Sequence, residues 1–94
     1  MAAFDLLGRR WALRVLWELR DGPLSFRELR KRCDDISPTV LNSRLAELRE
    51  TGVVAAGAAG YELTALGSEL LAALAPLDAW ARRWAKDAPR ARRG

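Results

Sequence analysis

Apolar residues fall at positions 4, 7, 11, 12, 15, 16 and 19, a spacing that sets them on one side of a helix. The pattern predicts a first helix over Phe4 to Arg20. Asp21-Gly22-Pro23 ends it, because glycine takes the left-handed cap and proline cannot continue a helix. Ser25-Phe26-Arg27-Glu28 reads as a capping box, serine at the cap and glutamate three residues on. The short second helix that follows turns Phe26, Leu29 and Cys33 inward and Arg27, Arg30 and Lys31 outward, and Asp34-Asp35 marks its exit. Ser37-Pro38 opens a third helix, with serine as cap and proline at the first helical position. Leu41, Leu45 and Leu48 form its buried stripe, and Gly52 is its C-terminal cap.

Two short β-prone runs come next, Val53-Val54-Ala55 and Tyr61-Glu62-Leu63, around the loop Ala56-Gly57-Ala58-Ala59-Gly60; they predict a hairpin. Thr64 caps a long last helix, about Ala65 to Lys86, with Pro76 inside its pattern as a candidate kink. Leu66, Leu70, Leu74, Leu77, Ala81 and Trp84 recur along it at alternating four- and three-residue steps, the rhythm of a coiled-coil seam. The predicted class is mainly α with a small β-hairpin. The order helix, short helix, helix, hairpin, helix is that of a winged helix-turn-helix: a three-helix core, a wing and a long C-terminal dimerisation helix. Residues 1–87 are expected to form this one domain, and residues 88–94 a basic, disordered tail.

Composition narrows the chemistry. At 94 residues, half of them hydrophobic, the chain has room for about one small domain. It has no histidine, which removes the usual metal ligand and the usual proton shuttle at neutral pH. It has one cysteine, so no internal disulfide can form. Gly57 to Gly60 precedes a strand and is a turn, not a phosphate-cradling loop. No catalytic residue, metal or cofactor is therefore expected, and the chain does not read as an enzyme. Its apolar runs are too short to span a membrane, and Met1 to Asp5 lacks the basic lead of a signal peptide, so the expected compartment is the cytoplasm.

The formal net charge of +4 is unevenly placed. Residues 51–81 carry three acids and no base, whereas residues 82–94 carry six bases against Asp87. The body is nearly neutral and the excess lies at the C-terminal end. Fourteen of the sixteen basic residues are arginine, which suits forked contacts to phosphate or guanine.

Several segments, in order, resemble the HxlR family of bacterial winged-helix transcriptional regulators. Gly8-Arg-Arg-Trp11, with Val15-Leu16 and Leu19, is similar to the family's Gly-Lys-Trp opening. Gly22-Pro23 followed by Ser25-Phe26-Arg27-Glu28-Leu29-Arg30 resembles its Gly-Pro and Arg-Phe-x-Glu-Leu segment. Ile36-Ser37-Pro38, Leu41, Leu45, Leu48 and Gly52-Val53-Val54 resemble its recognition helix and exit. Tyr61-x-Leu63-Thr64-x-x-Gly67 resembles its wing-to-helix junction, and Trp80 its late tryptophan. The resemblance implies a homodimer that binds operator DNA. The chain departs from the family at two places. Its wing, Gly57-Ala-Ala-Gly60, is short and uncharged, so whether the family's minor-groove wing contacts carry over is left open. It also lacks the N-terminal cysteine of the family's redox-responsive members, and Cys33 reads as core.

In such a fold the first half of the third helix enters the major groove of double-stranded DNA. Thr39, Val40, Asn42, Ser43 and Arg44 are the residues that the leucine stripe leaves outward. Asn42 suits adenine, and Arg44 suits guanine or a phosphate. Ser37 and Thr39 sit where the helix N-terminus attracts phosphate, and Arg27 and Lys31 face the backbone from the preceding helix. The expected dimer interface comprises Phe4, Leu7, Trp11, Leu70, Leu74, Leu77, Trp80, Ala81 and Trp84, more apolar surface than one small core covers. A dimer sets two recognition helices roughly 34–36 Å apart on an inverted-repeat operator. Trp11, Trp80 and Trp84 are also candidate walls of a pocket for a small-molecule effector, the alternative being plain interface packing. A competing function is a winged-helix module that binds a protein partner or a small aromatic ligand and has little DNA affinity. The near-neutral body, the uncharged wing and the acids at 34, 35, 47 and 50 favour that alternative.

Overall fold

The structure is a computed structural model that describes residues 9–87. Helix α1 spans Ala12–Glu18, α2 Phe26–Arg32 and α3 Pro38–Glu50. Strands β1 (Val54–Gly57) and β2 (Gly60–Leu63) form an antiparallel hairpin, and α4 runs from Ala65 to Asp87. Phe4, Leu7 and the expected tail lie outside the described residues.

The core is a single cluster in which Val15 and Leu16 of α1, with Leu19 at its C-terminal cap, meet Leu29 and Cys33. Leu41, Leu45 and Leu48 of α3 close it, and Ile36 plugs the corner between α2 and α3. These are the stripes set out by the hydrophobic spacing. The caps are equally local. Ser25 Oγ accepts from the Glu28 N–H at 3.1 Å while Ser25 N–H donates to Glu28 Oε1 at 2.9 Å, the reciprocal pair of a capping box. That bond to the Ser25 backbone holds the Glu28 carboxyl below the ordinary glutamate range. Ser37 Oγ accepts from the Val40 N–H at 3.2 Å. At the other end of α3, Gly52 N–H donates to Arg49 O and Val53 N–H to Leu48 O, both at 3.1 Å, with Gly52 at φ +84.

The first helix is shorter than its periodicity predicts. Residues 9–11 form a turn, and Trp11 adopts a left-handed backbone with φ 78, rare for a bulky residue. The chain therefore changes direction before Ala12, and Trp11 packs against the core from outside the helix. Between α2 and α3, Asp34 and Asp35 are both left-handed, which short polar side chains tolerate.

The hairpin is tighter than its sequence suggests. The strands extend through Gly57 and Gly60, which pair with each other, so the loop is only Ala58-Ala59. Leu24 bridges to Tyr61 through two backbone bonds of 2.9 and 2.8 Å, adding a third rung that ties the α1–α2 connection to the wing. Gly60 makes this approach possible, since a Cβ there lies 2.5 Å from Leu24 O.

Helix α4 has the predicted extent, with Pro76 inside it. Gly67 is its buried anchor, and Leu70, Leu71 and Leu74 are half-buried against the body. Beyond Leu74 most side chains face solvent.

Candidate nucleic-acid interface

Helix α3 presents its leucines to the core and Thr39, Asn42 and Ser43 to solvent. Because residues three and four apart share a helix face, Ala46, Arg49 and Glu50 continue the same exposed strip. Ser37 is exposed at the mouth of the helix. Its oxygen is taken by Val40 N–H, which leaves its hydroxyl hydrogen free to donate. Arg27 and Lys31 stand exposed on α2, where neither is paired with an acid among the described residues. The structure thus exposes a polar strip and the positive end of α3, and on α2 two cations without an acidic partner among the described residues, groups suited to base edges and phosphates.

Three residues differ from their sequence-based placement. Val40 is half-buried and packs against the core, because its flank of α3 faces the domain. Arg44 is also half-buried, since its guanidinium is held by Glu47, one turn further along α3. Arg30 turns inward, donating from Nε to Ile36 O at 2.8 Å and bracing the turn between α2 and α3. In each case a partner contributed by the fold outcompetes solvent. Arg49, by contrast, was missed as a candidate. It is exposed and unpaired among the described residues, and its spacing of seven from Asn42 was the available signal.

The wing carries no positive charge. Ala58 and Ala59 form its exposed tip, and the Glu62 carboxylate lies over Gly57 on the same hairpin.

The far half of α4 is the second conspicuous surface. Leu77, Trp80 and Trp84 are 57%, 50% and 47% exposed, and the two indoles stack with centroids 5.9 Å apart. Leu70, Leu74 and Ala81 are half-buried along the same helix. Between α4 and α1 lies an apolar groove of about 420 Å³ whose walls include Leu13, Trp17, Leu71, Leu74 and Leu77. Trp17 and Leu13 were not anticipated here; they lie off the main stripe of α1, which is the available signal. Trp11, expected at the interface, packs on the core and lines no part of this groove.

Cys33 is fully buried, and burial pushes its thiol up from the ordinary range. Among the described residues no cluster of histidine, cysteine, aspartate and glutamate is arranged to hold a metal ion, and no helix is long and apolar enough to cross a membrane.

The model of the HxlR-like helix-turn-helix family matches residues 6–89, nearly the whole chain. The chain belongs to this family. As an HxlR-like protein it is a DNA-binding transcriptional regulator. It is 34% identical over 87 residues to the HTH-type transcriptional regulator YodB of Bacillus subtilis strain 168, covering 85% of this chain and 78% of YodB. The uncharacterized HTH-type transcriptional regulator YvaP of the same organism is 32% identical, over 87% and 82% of the two chains. Among solved structures, quinone-bound YodB superposes with a TM-score of 0.81 at 37% identity, covering 86% of this chain and 92% of that one. HxlR-like architecture accounts for the observed order of three core helices, wing and long α4.

Proposed function

We propose that this regulator is a homodimer that reads an inverted-repeat operator in double-stranded DNA through the first half of α3. The observation that carries this reading is the exposed strip Thr39, Asn42 and Ser43 on α3, with Arg27 and Lys31 exposed on the preceding helix. Asn42 is the candidate adenine reader. Thr39, Ser43 and the Ser37 hydroxyl hold the helix in register through phosphates, and Arg27 and Lys31 supply sequence-independent attraction. The wing, uncharged at its tip, takes little part. Dimerisation uses α4, where Leu77, Trp80 and Trp84 need a cover that the monomer does not provide, together with Leu13 and Trp17 of α1. A protein reading chromosomal operators works in the cytoplasm.

A small-molecule effector is the natural input for such a device. The solved structure of quinone-bound YodB shows a relative holding a quinone. In this chain the groove between α1 and α4 is the candidate receptor, lying where an aromatic ligand would meet the proposed dimer seam.

Selection from random duplex DNA, followed by titration of enriched sites at two salt concentrations, tests the DNA reading. An inverted repeat bound far more tightly than random duplex is the expected result. Absence of any enriched site, with binding no stronger than general attraction of cations to DNA, would overturn it.

A further inference from the structure

Val40, Arg44 and Glu47 follow one another at spacings of four and three along α3, on the flank between its buried leucines and its exposed strip. There the Arg44 guanidinium pairs with the Glu47 carboxylate, and the two side chains are only 18% and 19% exposed. Glu47 Oε2 also lies 3.2 Å from Arg9 Nε, in the turn that precedes α1. Arg44 Nε and Glu47 Oε2 are both buried without a hydrogen-bond partner, so Arg9 meets the carboxylate as an ion pair and not through a hydrogen bond. Two guanidinium groups converge on one carboxylate, and the pair is shielded from the salt screening that weakens exposed ion pairs. The exposed strip beside it has no charge over Thr39, Asn42 and Ser43.

An arginine loose on a recognition helix adds affinity for every duplex, because a phosphate carries no sequence information. Arg44 is rooted next to Ser43, so its long stem would bring a released guanidinium to the backbone beside that strip. We propose that Glu47 is a positioning residue for DNA discrimination, withholding Arg44 from phosphate so that α3 reads DNA through uncharged side chains. Arg9 strengthens the hold from the other side of the carboxylate. This inference rests on the DNA-reading role of α3.

The test uses the full chain as wild type, Glu47→Gln, Arg44→Gln and the double variant. Each is titrated across a salt series against a labelled random duplex and against the duplex recovered by selection. Glu47→Gln is expected to bind random duplex more tightly and to steepen the salt dependence by about 0.9 per subunit, the slope of one added phosphate contact. The ratio of selected to random affinity falls in the same variant. Arg44→Gln alone keeps the wild-type slope, and the double variant returns to it. An unchanged slope in Glu47→Gln overturns the proposal, and so does a shallower slope in Arg44→Gln, which would place Arg44 on phosphate already. Circular dichroism verifies that each variant is folded, and if Glu47→Gln is not, the Arg44→Gln slope decides alone. Wild type that binds no duplex overturns the DNA reading of α3 and this inference with it, whereas wild type that binds while the slopes disagree overturns only the inference.

Discussion

Gly67→Ala should destabilise this domain, although alanine is ordinarily the better helix former. Gly67 is the third residue of α4, and its N–H donates to Thr64 Oγ1 at 3.0 Å. A Cβ at this position lies 2.1 Å from Val53 O, 3.1 Å from Val53 C and 3.2 Å from Leu63 Cδ2. The leucine methyl can rotate away, but the carbonyl cannot, because Val53 O already accepts the Thr64 N–H at 3.1 Å. The start of α4 must therefore shift away from the hairpin. Overpacking of this kind costs about 1–3 kcal/mol, and loss of the backbone bond adds about 1 kcal/mol. The helix-propensity gain from glycine to alanine returns at most ~1 kcal/mol, so the net loss is about 1–3 kcal/mol. For a domain of this size that lowers Tm by roughly 10 °C. Thermal and urea unfolding at one fixed protomer concentration measure it, since the proposed dimerisation would make apparent stability depend on concentration. Gly57→Ala is the control, because its Cβ meets the movable Glu62 carboxylate at 3.3 Å and Gly60 O only at an ordinary 3.9 Å. A Gly67→Ala midpoint equal to or above wild type would refute the packing argument.

Four further outcomes follow from the geometry. Ser25→Ala should lower stability by about 1 kcal/mol in urea unfolding, through loss of the cap. The Glu28 carboxyl is held below its ordinary range, so its contribution is complete above the unfolded-state pKa and disappears as pH falls through the folded one. Glu28→Gln should flatten that part of the acid stability profile, and an unchanged profile would count against the box. Trp80→Glu should turn the proposed dimer into a folded monomer in sedimentation, because it places a charge in the exposed apolar strip of α4; persistence of the dimer moves the interface elsewhere. Cys33 should resist alkylation near neutral pH in the folded protein and react readily in urea, since burial both excludes the reagent and disfavours the thiolate; fast labelling of the folded protein contradicts the burial.

Much of the local architecture was legible because its determinants lie within one helical turn of one another. Ser25 and Glu28 satisfy each other, Ser37 satisfies Val40, and Gly52 closes α3 with backbone bonds to residues just before it. The candidate interface was partly legible for the same reason: once Leu41, Leu45 and Leu48 face inward, Thr39, Asn42 and Ser43 must face out. Periodicity does not see partners that arrive from elsewhere in the chain. It carried the first helix through Trp11, where the backbone turns left-handed, and it left Arg30 in solvent when Ile36 O was waiting for it.

Thus the sequence by itself determined the helices, their caps, the hairpin and the polar strip, since each depends on side-chain spacing and on hydrogen bonds between near neighbours. Only the tertiary structure decided that Gly60 and Gly67 must lack a Cβ, that Leu24 joins Tyr61 and that Leu13 and Trp17 form one wall of a groove with α4. It alone decided that the Arg44–Glu47 pair, itself local to α3, is met by Arg9 from the turn before α1. These features arise where separate elements meet, and which surfaces meet is set by how the whole core closes.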